Sequence, residues 1–262
     1  MLNKEITDVL SKNKIAEFGV CDFGVFENRL LDCRAVSRIQ IGSQSVIVVL
    51  FPYKCRIEPP KNICRYGAVA DYHGVCGNIL QSCCDDFKKT FPDNNFELFI
   101  DNSPIREVEA AVRAGLGVKG KNGLLINPIY GSFVFIGEIV TDLKLEATNF
   151  SGMCIGCNKC EEMCPTGSIK SGNKTNCLSA ITQKKGELTL SEKVLIENSG
   201  CAWGCDICQN VCPMNNDIKL TDISEFLKSY RCEFKQNDDI EDRAFAWRGR
   251  KVIDRNLNIL NK

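Results

Sequence analysis

The sequence predicts an α+β protein in which a mixed α/β segment over residues 1–148 precedes a cysteine-rich segment over 149–216 and a helical tail over 217–262. Apolar, β-branched runs alternate with helical patterns as far as residue 148. Strand patterns then cease and closely spaced cysteines begin, and apolar residues at helical spacing return near the C-terminus. The chain has 262 residues, 44% of them hydrophobic, which is enough to bury a core.

The first part of the α/β segment is predicted to hold a helix, a strand and a second helix. Residues 1–20 are predicted to be helical because apolar residues share one face, namely Ile6, Val9 and Leu10. Residues 43–53 form an apolar, β-branched run that ends near a proline, as expected of a buried strand. A helix is predicted over residues 71–90.

A second strand is predicted over residues 96–100, followed by a helix over 105–114. Asn102 or Ser103 is expected to cap this helix, because a side-chain oxygen at that place can accept a free backbone N–H. Pro104 is expected at the first helical position, where its missing N–H costs nothing.

A glycine-rich loop is predicted over residues 115–123, followed by antiparallel strands over 123–127 and 132–146 with a turn at 128–131. Residues 115–120 match the dinucleotide fingerprint GxGxxG. That fingerprint needs a preceding strand and a following helix, and here the order is reversed. We expect the glycines to admit close approach of a bulky ligand, the alternative being an ordinary turn.

Composition limits the classes of protein that the chain can belong to. Thirty-three basic residues balance 33 acidic ones, so the sequence lacks the basic excess of a strong non-specific nucleic-acid binder. The cysteine count, 17, is odd, and the N-terminus is a polar, amphipathic stretch rather than a signal peptide. No apolar run approaches the length of a membrane span. We therefore expect a cytoplasmic protein with reduced thiols and no membrane association.

Two cysteine motifs indicate iron–sulfur clusters. Both have cysteines at two- and three-residue gaps and end in Cys-Pro, and they are Cys154-x2-Cys157-x2-Cys160-x3-Cys164-Pro165 and Cys205-x2-Cys208-x3-Cys212-Pro213. In paired motifs of this kind the cysteine before the proline ligates the other cluster. The alternative is zinc, whose sites usually combine two CxxC pairs across a longer loop into one tetrahedron. The spacing favours a ferredoxin-like segment with two [4Fe–4S] clusters.

The two motifs supply seven of the eight thiolates that two cubanes need. One cluster is predicted to be held by Cys154, Cys157, Cys160 and Cys212. The other is predicted to be held by Cys164, Cys205 and Cys208 with an eighth ligand. That ligand is Cys177 or Cys201, and proximity in the sequence alone favours Cys201.

Asp101 directly follows the second predicted strand, at the kind of strand end where ligands of open α/β sheets gather. A carboxyl group there can serve as a general acid, although an aspartate between a strand and a helix is most often a cap. His73 is the only histidine, and no nucleophile motif accompanies it, so we expect a structural or surface role.

The sequence resembles the cobalamin-dependent epoxyqueuosine reductases, which complete queuosine synthesis in tRNA and are distantly related to reductive dehalogenases. The resemblance covers most of residues 40–215. It rests on five segments, RYGAVADYH, DNSPIREVEAAVRAGLGVKGKNGLLIN, GSFVFIGEIVTDL, CIGCNKCEEMCPTGSI and GCDICQNVCPMN. Members of the family typically continue into helical repeats that help to hold the tRNA, whereas this sequence stops at Lys262 and so resembles a short form.

The resemblance implies a cobalamin bound between the first domain and the cluster domain, with Asp101 as catalytic proton donor and cofactor contact. It implies Cys177 as the eighth cluster ligand, because the family places a cysteine between the two motifs. Further residues that fall in the corrinoid-lining segments of the family are Tyr72, Lys121, Asn122 and Ser132.

The resemblance also implies an oxidoreductase that acts on the anticodon stem-loop of tRNA as a monomer. Electrons would come from an external low-potential donor such as a ferredoxin or a flavodoxin-like protein. Two alternatives remain open from the sequence. One is a corrinoid and iron–sulfur reductase of another substrate, and the other is an electron-transfer protein, which would leave the first 148 residues without a role.

Overall fold

The computed structural model describes residues 4–149 and 151–261, which divide into two compact units. The described residues within Met1–Pro52, His73–Gly120 and Leu124–Cys154 form the first unit. Those within Tyr53–Tyr72, Lys121–Gly123 and Ile155–Lys262 form the second unit. The sequence prediction divided the chain into continuous segments, whereas the units of the structure are discontinuous.

Strands occur in the first unit, and short helices make up most of the regular structure of the second. The strands are β1 Phe18–Asp22, β2 Ser45–Pro52, β3 Phe96–Ile100, β4 Val118–Lys119, β5 Leu125–Ile126 and β6 Val134–Thr141. The α-helices are α1 Lys4–Lys12, α2 Arg65–Ala68, α3 Tyr72–Thr90, α4 Glu107–Arg113, α5 Lys159–Glu162, α6 Ser168–Ser171, α7 Leu178–Thr182, α8 Leu190–Ser199, α9 Ile207–Asn210, α10 Ser224–Lys228 and α11 Arg250–Leu260. Short 3-10 turns lie at Phe23–Val25, Arg34–Arg38, Lys174–Asn176, Pro213–Asn215 and Ala246–Arg248.

The core of the first unit is a four-stranded antiparallel sheet in the order β1-β2-β6-β3. Every residue of β2 is buried, which explains its continuous apolar run. On one face, alternate residues of β2 and β6 pack with α4 in a single apolar cluster. On the other face Leu80 of α3 lies so close to Gly137 that a side chain at 137 would meet it at 2.9 Å. The sheet is therefore covered by helices on both faces.

Several predicted elements of the first unit are confirmed. β2, α3 and β3 lie where the apolar patterns placed them. The prediction of a helix over residues 1–20 is wrong beyond its first half, because α1 ends at Lys12 and β1 begins at Phe18. Lys14 has a left-handed φ of 60°, which ends the helical path before the strand begins.

The predicted pairing of the later strands is wrong. β5 pairs with β4 in a separate small hairpin, while β6 lies between β2 and β3 in the main sheet. Gly117 has a φ of 148°, and a side chain there would collide with the carbonyl of Ile126. At this position the missing Cβ admits the chain's own backbone.

The predicted cap of the helix after Asp101 is also wrong. α4 begins at Glu107, its N-cap is Arg106, and no side chain caps it. Pro104 lies outside the helix. The hydroxyl of Ser103 instead accepts the Ile105 N–H at 3.1 Å and donates to the carboxyl group of Glu138. The hydroxyl that the local pattern assigned to a helix cap thus has a buried side chain of the sheet as its hydrogen-bond partner.

An apolar cluster explains why Tyr53–Tyr72 belongs to the second unit. Ile63 and Cys64 are buried in one cluster with Trp203 and Phe245. The Cys64 N–H donates to the Trp203 carbonyl at 2.8 Å, and an isolated parallel bridge joins Ile63 to Trp203. α11 is bound to the same unit through Asn256, whose side chain donates to the carbonyls of Thr182 and Ala202 at 2.7 and 2.8 Å. Within residues 4–149 and 151–261, no helix is long and apolar enough to cross a membrane.

Candidate functional site

Asp101 lies directly after β3, an edge strand of the main sheet. Its φ of 60° is in the left-handed region, which aspartate tolerates better than most residues. The side chain is 60% exposed and does not cap α4. The Asp101 carboxylate is therefore accessible at the end of a strand, and its backbone is in the left-handed conformation.

The segment Asp101–Ile105, here called the Asp101 loop, is attached to the unit by two glutamates. Glu107 Oε1 accepts the backbone N–H of Asp101 at 3.0 Å. Glu138, in the middle of β6, accepts the hydroxyl of Ser103 through Oε2. Both attachments use carboxyl oxygens, so the ionisation of each glutamate bears directly on the loop.

Burial changes the acidity of both glutamates. Glu138 is fully buried on the apolar face of the sheet, and desolvation raises its pKa to about 8, although the hydrogen bond from Ser103 opposes the shift. Desolvation is also the largest cause that raises the pKa of Glu107 to about 9, the nearby carboxyl groups of Glu138 and Asp101 act in the same direction, and the hydrogen bond from the Asp101 N–H opposes them. Burial thus favours the neutral form of both carboxyl groups.

His73, in the first turn of α3, lies beside the predicted acid. Its Nε2 is 3.3 Å from Asp101 Oδ2, and its side chain is 35% exposed. From the sequence we expected only a structural or surface role for this histidine. The contact joins residues 28 positions apart, and periodicity gives no signal for such a pair.

Four predicted ligands of one cluster interact in the second unit. Cys177 and Cys164 lie close enough to Cys205 to act on it electrostatically, and Cys205 and Cys177 act in the same way on Cys208. Burial is the largest cause that raises the pKa of Cys205 to about 11 and of Cys208 to about 12. Thiolates that repel one another in a desolvated site are the donor set that a positively charged iron core would stabilise, so these residues fit a cluster.

Backbone N–H groups favour the ionised form of one of these thiols. Burial alone would raise the pKa of Cys164, but hydrogen bonds from the N–H groups of Ile169, Thr166 and Ser168 and from the Thr166 hydroxyl lower it below its ordinary value. Hydrogen bonds to sulfur are a usual feature of cluster sites. The helices of the two motifs, α5 and α9, pack against each other.

Cys201 differs from Cys177 in its surroundings. Its Sγ donates to the Trp203 carbonyl at 3.1 Å, and burial raises its pKa to about 12. It interacts electrostatically with Cys64 as well as Cys205. Cys177 interacts with both Cys205 and Cys208, the two partners that an eighth ligand needs. These contacts favour Cys177.

Cys157 is exposed, and Cys154, Cys160 and Cys212 are partly buried. In the parts of the chain that the structure describes, no three His, Cys, Asp or Glu side chains are grouped as ligands of a single metal ion.

Two residues predicted to contact a corrinoid lie among the cysteine motifs of the second unit. Lys121 Nζ donates to Asn158 Oδ1 and lies 3.8 Å from Glu161 Oε1. The Asn122 side chain hydrogen-bonds the thiol of Cys208. Ser132 is buried and Tyr72 is partly buried. The structure thus connects Lys121 and Asn122 to the cluster motifs, and their contact with a corrinoid stays a prediction.

Family comparisons match a segment that includes Asp101 and the segment that holds the cysteine motifs. Residues 35–102 match the family described as "Epoxyqueuosine reductase QueG, DUF1730", and residues 153–215 match the "4Fe-4S double cluster binding domain". An epoxyqueuosine reductase of Listeria monocytogenes is 34% identical, over 95% of this chain and 72% of that protein. The chain belongs to the epoxyqueuosine reductase family. A second relative with that name, from Lactococcus garvieae, is 30% identical over 88% of this chain and 73% of that protein.

Solved epoxyqueuosine reductases share the fold. The structure from Streptococcus thermophilus has a TM-score of 0.80 and 25% identity, covering 98% of this chain and 80% of that chain. A complex with an epoxyqueuosine-modified tRNA-Tyr stem loop has a TM-score of 0.82 at 23% identity, with the same coverage. The Bacillus subtilis reductase, described with an aspartate-bearing catalytic loop swung out of its active site, has a TM-score of 0.81 at 23% identity, covering 97% and 80%.

These findings confirm the predicted family, an oxidoreductase, and the [4Fe–4S]-binding segment. Sequence reasoning missed Glu107 and Glu138. A glutamate in the middle of the apolar strand β6 was a usable signal for Glu138, since a buried carboxyl group needs a polar partner. Glu107 gave no such signal, because an acidic residue in the first turn of a helix is ordinary.

Proposed function

We propose that this protein is an epoxyqueuosine reductase that converts epoxyqueuosine in tRNA to queuosine. The observation that carries the proposal is the 34% identity over 95% of the chain to a relative of that name. Asp101 supports it, because a solved member of the family is described with an aspartate on its catalytic loop. The complex of another member with a modified tRNA stem loop supports the anticodon stem-loop as substrate.

We propose two [4Fe–4S] clusters in residues 153–215. The first set of ligands is Cys154, Cys157, Cys160 and Cys212, and the second is Cys164, Cys177, Cys205 and Cys208. The electrostatic interactions among the thiols of the second set support this grouping. Electrons are proposed to come from an external low-potential donor of the ferredoxin or flavodoxin type, and the enzyme to be a monomer.

We propose cobalamin as the second cofactor, and open space beside two glycines of α3 supports the proposal. Gly74 and Gly77 lie one turn apart in α3, next to His73. A side chain at Gly74 would meet no atom within 4 Å, and one at Gly77 would meet only Ile100, at 4.0 Å. Bare helix backbone permits close approach of a ligand. The proposed contacts from the chain are Asp101, Tyr72, Lys121, Asn122 and Ser132.

The reaction removes the epoxide oxygen as water and leaves an alkene, which consumes two electrons and two protons. Bound clusters would supply one-electron transfer, and bound cobalamin a strongly reducing cobalt centre. Asp101 donates one proton to the departing oxygen, for which its exposed position is suited. His73, 3.3 Å from Asp101 Oδ2, holds the carboxyl group in place and can return a proton to it.

The test is turnover of epoxyqueuosine-containing tRNA by protein purified without oxygen and reconstituted with iron, sulfide and cobalamin. Mass spectrometry of the released nucleosides should show the loss of one oxygen. Asp101→Asn should lower kcat by about 10²–10⁴-fold, the usual contribution of a general acid, and leave iron and corrinoid content unchanged. Full activity of this variant would rule out the acid role. Bound cofactors without loss of oxygen would indicate another substrate.

A further inference from the structure

Two glutamates attach the Asp101 loop to the first unit, and neither has a part in the proposed chemistry. Glu107 Oε1 accepts the Asp101 N–H at 3.0 Å, and Glu138 Oε2 accepts the Ser103 hydroxyl. Glu138 is fully buried in β6, so its attachment is fixed by the sheet. Glu107 is the first residue of α4, and its side chain reaches back to the residue that bears the proposed acid.

We propose that Glu107 is a positioning residue for Asp101. The hydrogen bond from the Asp101 N–H to Glu107 Oε1 holds residue 101 in the left-handed conformation that directs its carboxylate toward the substrate. This inference rests on the proposed role of Asp101 as proton donor and adds a residue to that site.

The backbone of the loop explains why such a residue is needed. Asp101 has a φ of 60°, a conformation that costs free energy in a non-glycine residue, although less in aspartate than in most, so neighbouring contacts help to hold it. Tight local hydrogen bonds, Asn102 N–H to Ile100 O at 2.7 Å and Ser103 N–H to Asp101 O at 2.9 Å, bend the chain but reach no further than the end of β3. The bond to Glu107 connects residue 101 itself to α4. The catalytic loop of a relative is described as swung out of its active site, so a loop of this kind can leave.

A neutral carboxyl group at Glu107 is sufficient for this role, and burial favours that form. Groups from three places act on it, namely Glu138 in β6, Asp101 in the loop and His73 in α3. Burial is the largest cause that raises its pKa to about 9, followed by the carboxyl groups of Glu138 and Asp101, while the hydrogen bond from the Asp101 N–H and the imidazole of His73 lower it in part. A protonated carboxyl group accepts the Asp101 N–H through its carbonyl oxygen without a second negative charge beside the acid. Glutamine has the same side-chain length and the same carbonyl acceptor, so Glu107→Gln should keep the hydrogen bond from the Asp101 N–H.

The experiment compares Glu107→Gln with Glu107→Asp in the full chain with its clusters and cobalamin. Aspartate keeps the carboxyl group but is one methylene too short to reach the Asp101 N–H. Glu107→Asp should lower kcat by about a hundredfold, the effect of misplacing a catalytic group by about 1 Å, with KM nearly unchanged. Glu107→Gln should retain wild-type kcat within a few-fold. Glu109→Gln, two residues along α4 and paired with Arg29 and Arg113, is the matched control and should have no effect.

A second measurement does not depend on turnover. Hydrogen exchange of the Asp101 amide should be at least about tenfold faster in Glu107→Asp than in the wild type, because that amide has lost its acceptor. It should be unchanged in Glu107→Gln. His73 is the only histidine, so isotope-labelled histidine gives a single imidazole signal next to Asp101. That signal should move in Glu107→Asp and stay at the wild-type position in Glu107→Gln.

The outcomes separate this inference from the proposed function. Wild-type exchange and kcat in Glu107→Asp would overturn the positioning role. So would a loss in Glu107→Gln as large as in Glu107→Asp, because the charge rather than the hydrogen bond would then matter. If Asp101→Asn keeps full activity while the exchange and imidazole results are as expected, Glu107 does position residue 101 and the proposed function of Asp101 fails.

Discussion

Glu138→Gln should remove a pH dependence of stability that originates in the core of the sheet. Glu138 faces the apolar cluster around Val48 and Phe99, and burial raises its pKa to about 8. In the unfolded chain its pKa is about 4.3. The folded state therefore holds this proton more tightly. The contribution of the group to stability is fully present below about pH 4.3 and is lost as the pH rises toward about 8.

The size of the effect follows from proton linkage. Between pH 5 and pH 7 the folded chain binds nearly one proton more than the unfolded chain at this position. Each pH unit is then worth about 1.4 kcal/mol, so the wild type should lose about 2 to 3 kcal/mol more than Glu138→Gln over that interval. Glutamine keeps a carbonyl oxygen for the Ser103 hydroxyl and cannot ionise.

Urea unfolding of both chains at pH 5, 6 and 7 measures this difference. Contributions shared by the two chains, including cluster release, largely cancel in the comparison. Only the change with pH is diagnostic, because the amide N–H of glutamine adds a constant cost in a position where Glu138 Oε1 has no partner among the described residues. Parallel pH profiles for the two chains would refute the reasoning, since Glu138 would then be ionised in the folded state or already exposed to water.

Three further changes have definite expected results. Cys177→Ala should lose about four of about eight irons per chain, whereas Cys201→Ala should keep them. Iron and acid-labile sulfide measure this difference, and the reverse pattern would assign Cys201 as the ligand. Gly204→Ala should lower the melting temperature more than Gly186→Ala. Both glycines have a positive φ, so the backbone strain is similar, but a buried cysteine side chain lies against Gly204 only. Equal effects would contradict this packing. Above about pH 9 the wild-type kcat should fall as Glu107 ionises beside Asp101, while Glu107→Gln should stay active to higher pH; coincident alkaline limbs would argue against a titrating Glu107.

The sequence predicted well the features that depend on a few neighbouring residues. The cysteine spacing predicts a [4Fe–4S] segment because close thiolates and the Cys-Pro step are local requirements of a cubane. The strand β2 is equally local, since an eight-residue buried strand appears as a continuous apolar run. The position of Asp101 after β3 follows from the end of one such run.

Features that depend on distant contacts could not be read from periodicity. β4 and β5 are two residues long each, too short for an apolar pattern, so β6 was assigned the wrong partner. Residues 53–72 belong to the second unit because Cys64 hydrogen-bonds to Trp203, which lies 139 positions later in the chain. The contact of His73 with Asp101 likewise joins two elements that the chain connects through a helix and a strand.

The Asp101 loop shows why a carboxyl group is retained inside an apolar sheet. An apolar side chain at position 138 would remove the cost of desolvating an acid, and it would pack with neighbours that are already apolar. It would also leave the buried Ser103 hydroxyl without the oxygen to which it donates. Of the two bonds from the loop to glutamates, only the one to Glu107 would then remain. Stability at neutral pH thus favours an apolar residue at position 138, whereas a fixed position for Asp101 favours a hydrogen-bonding one. The glutamate there holds the loop and lowers the stability of the fold.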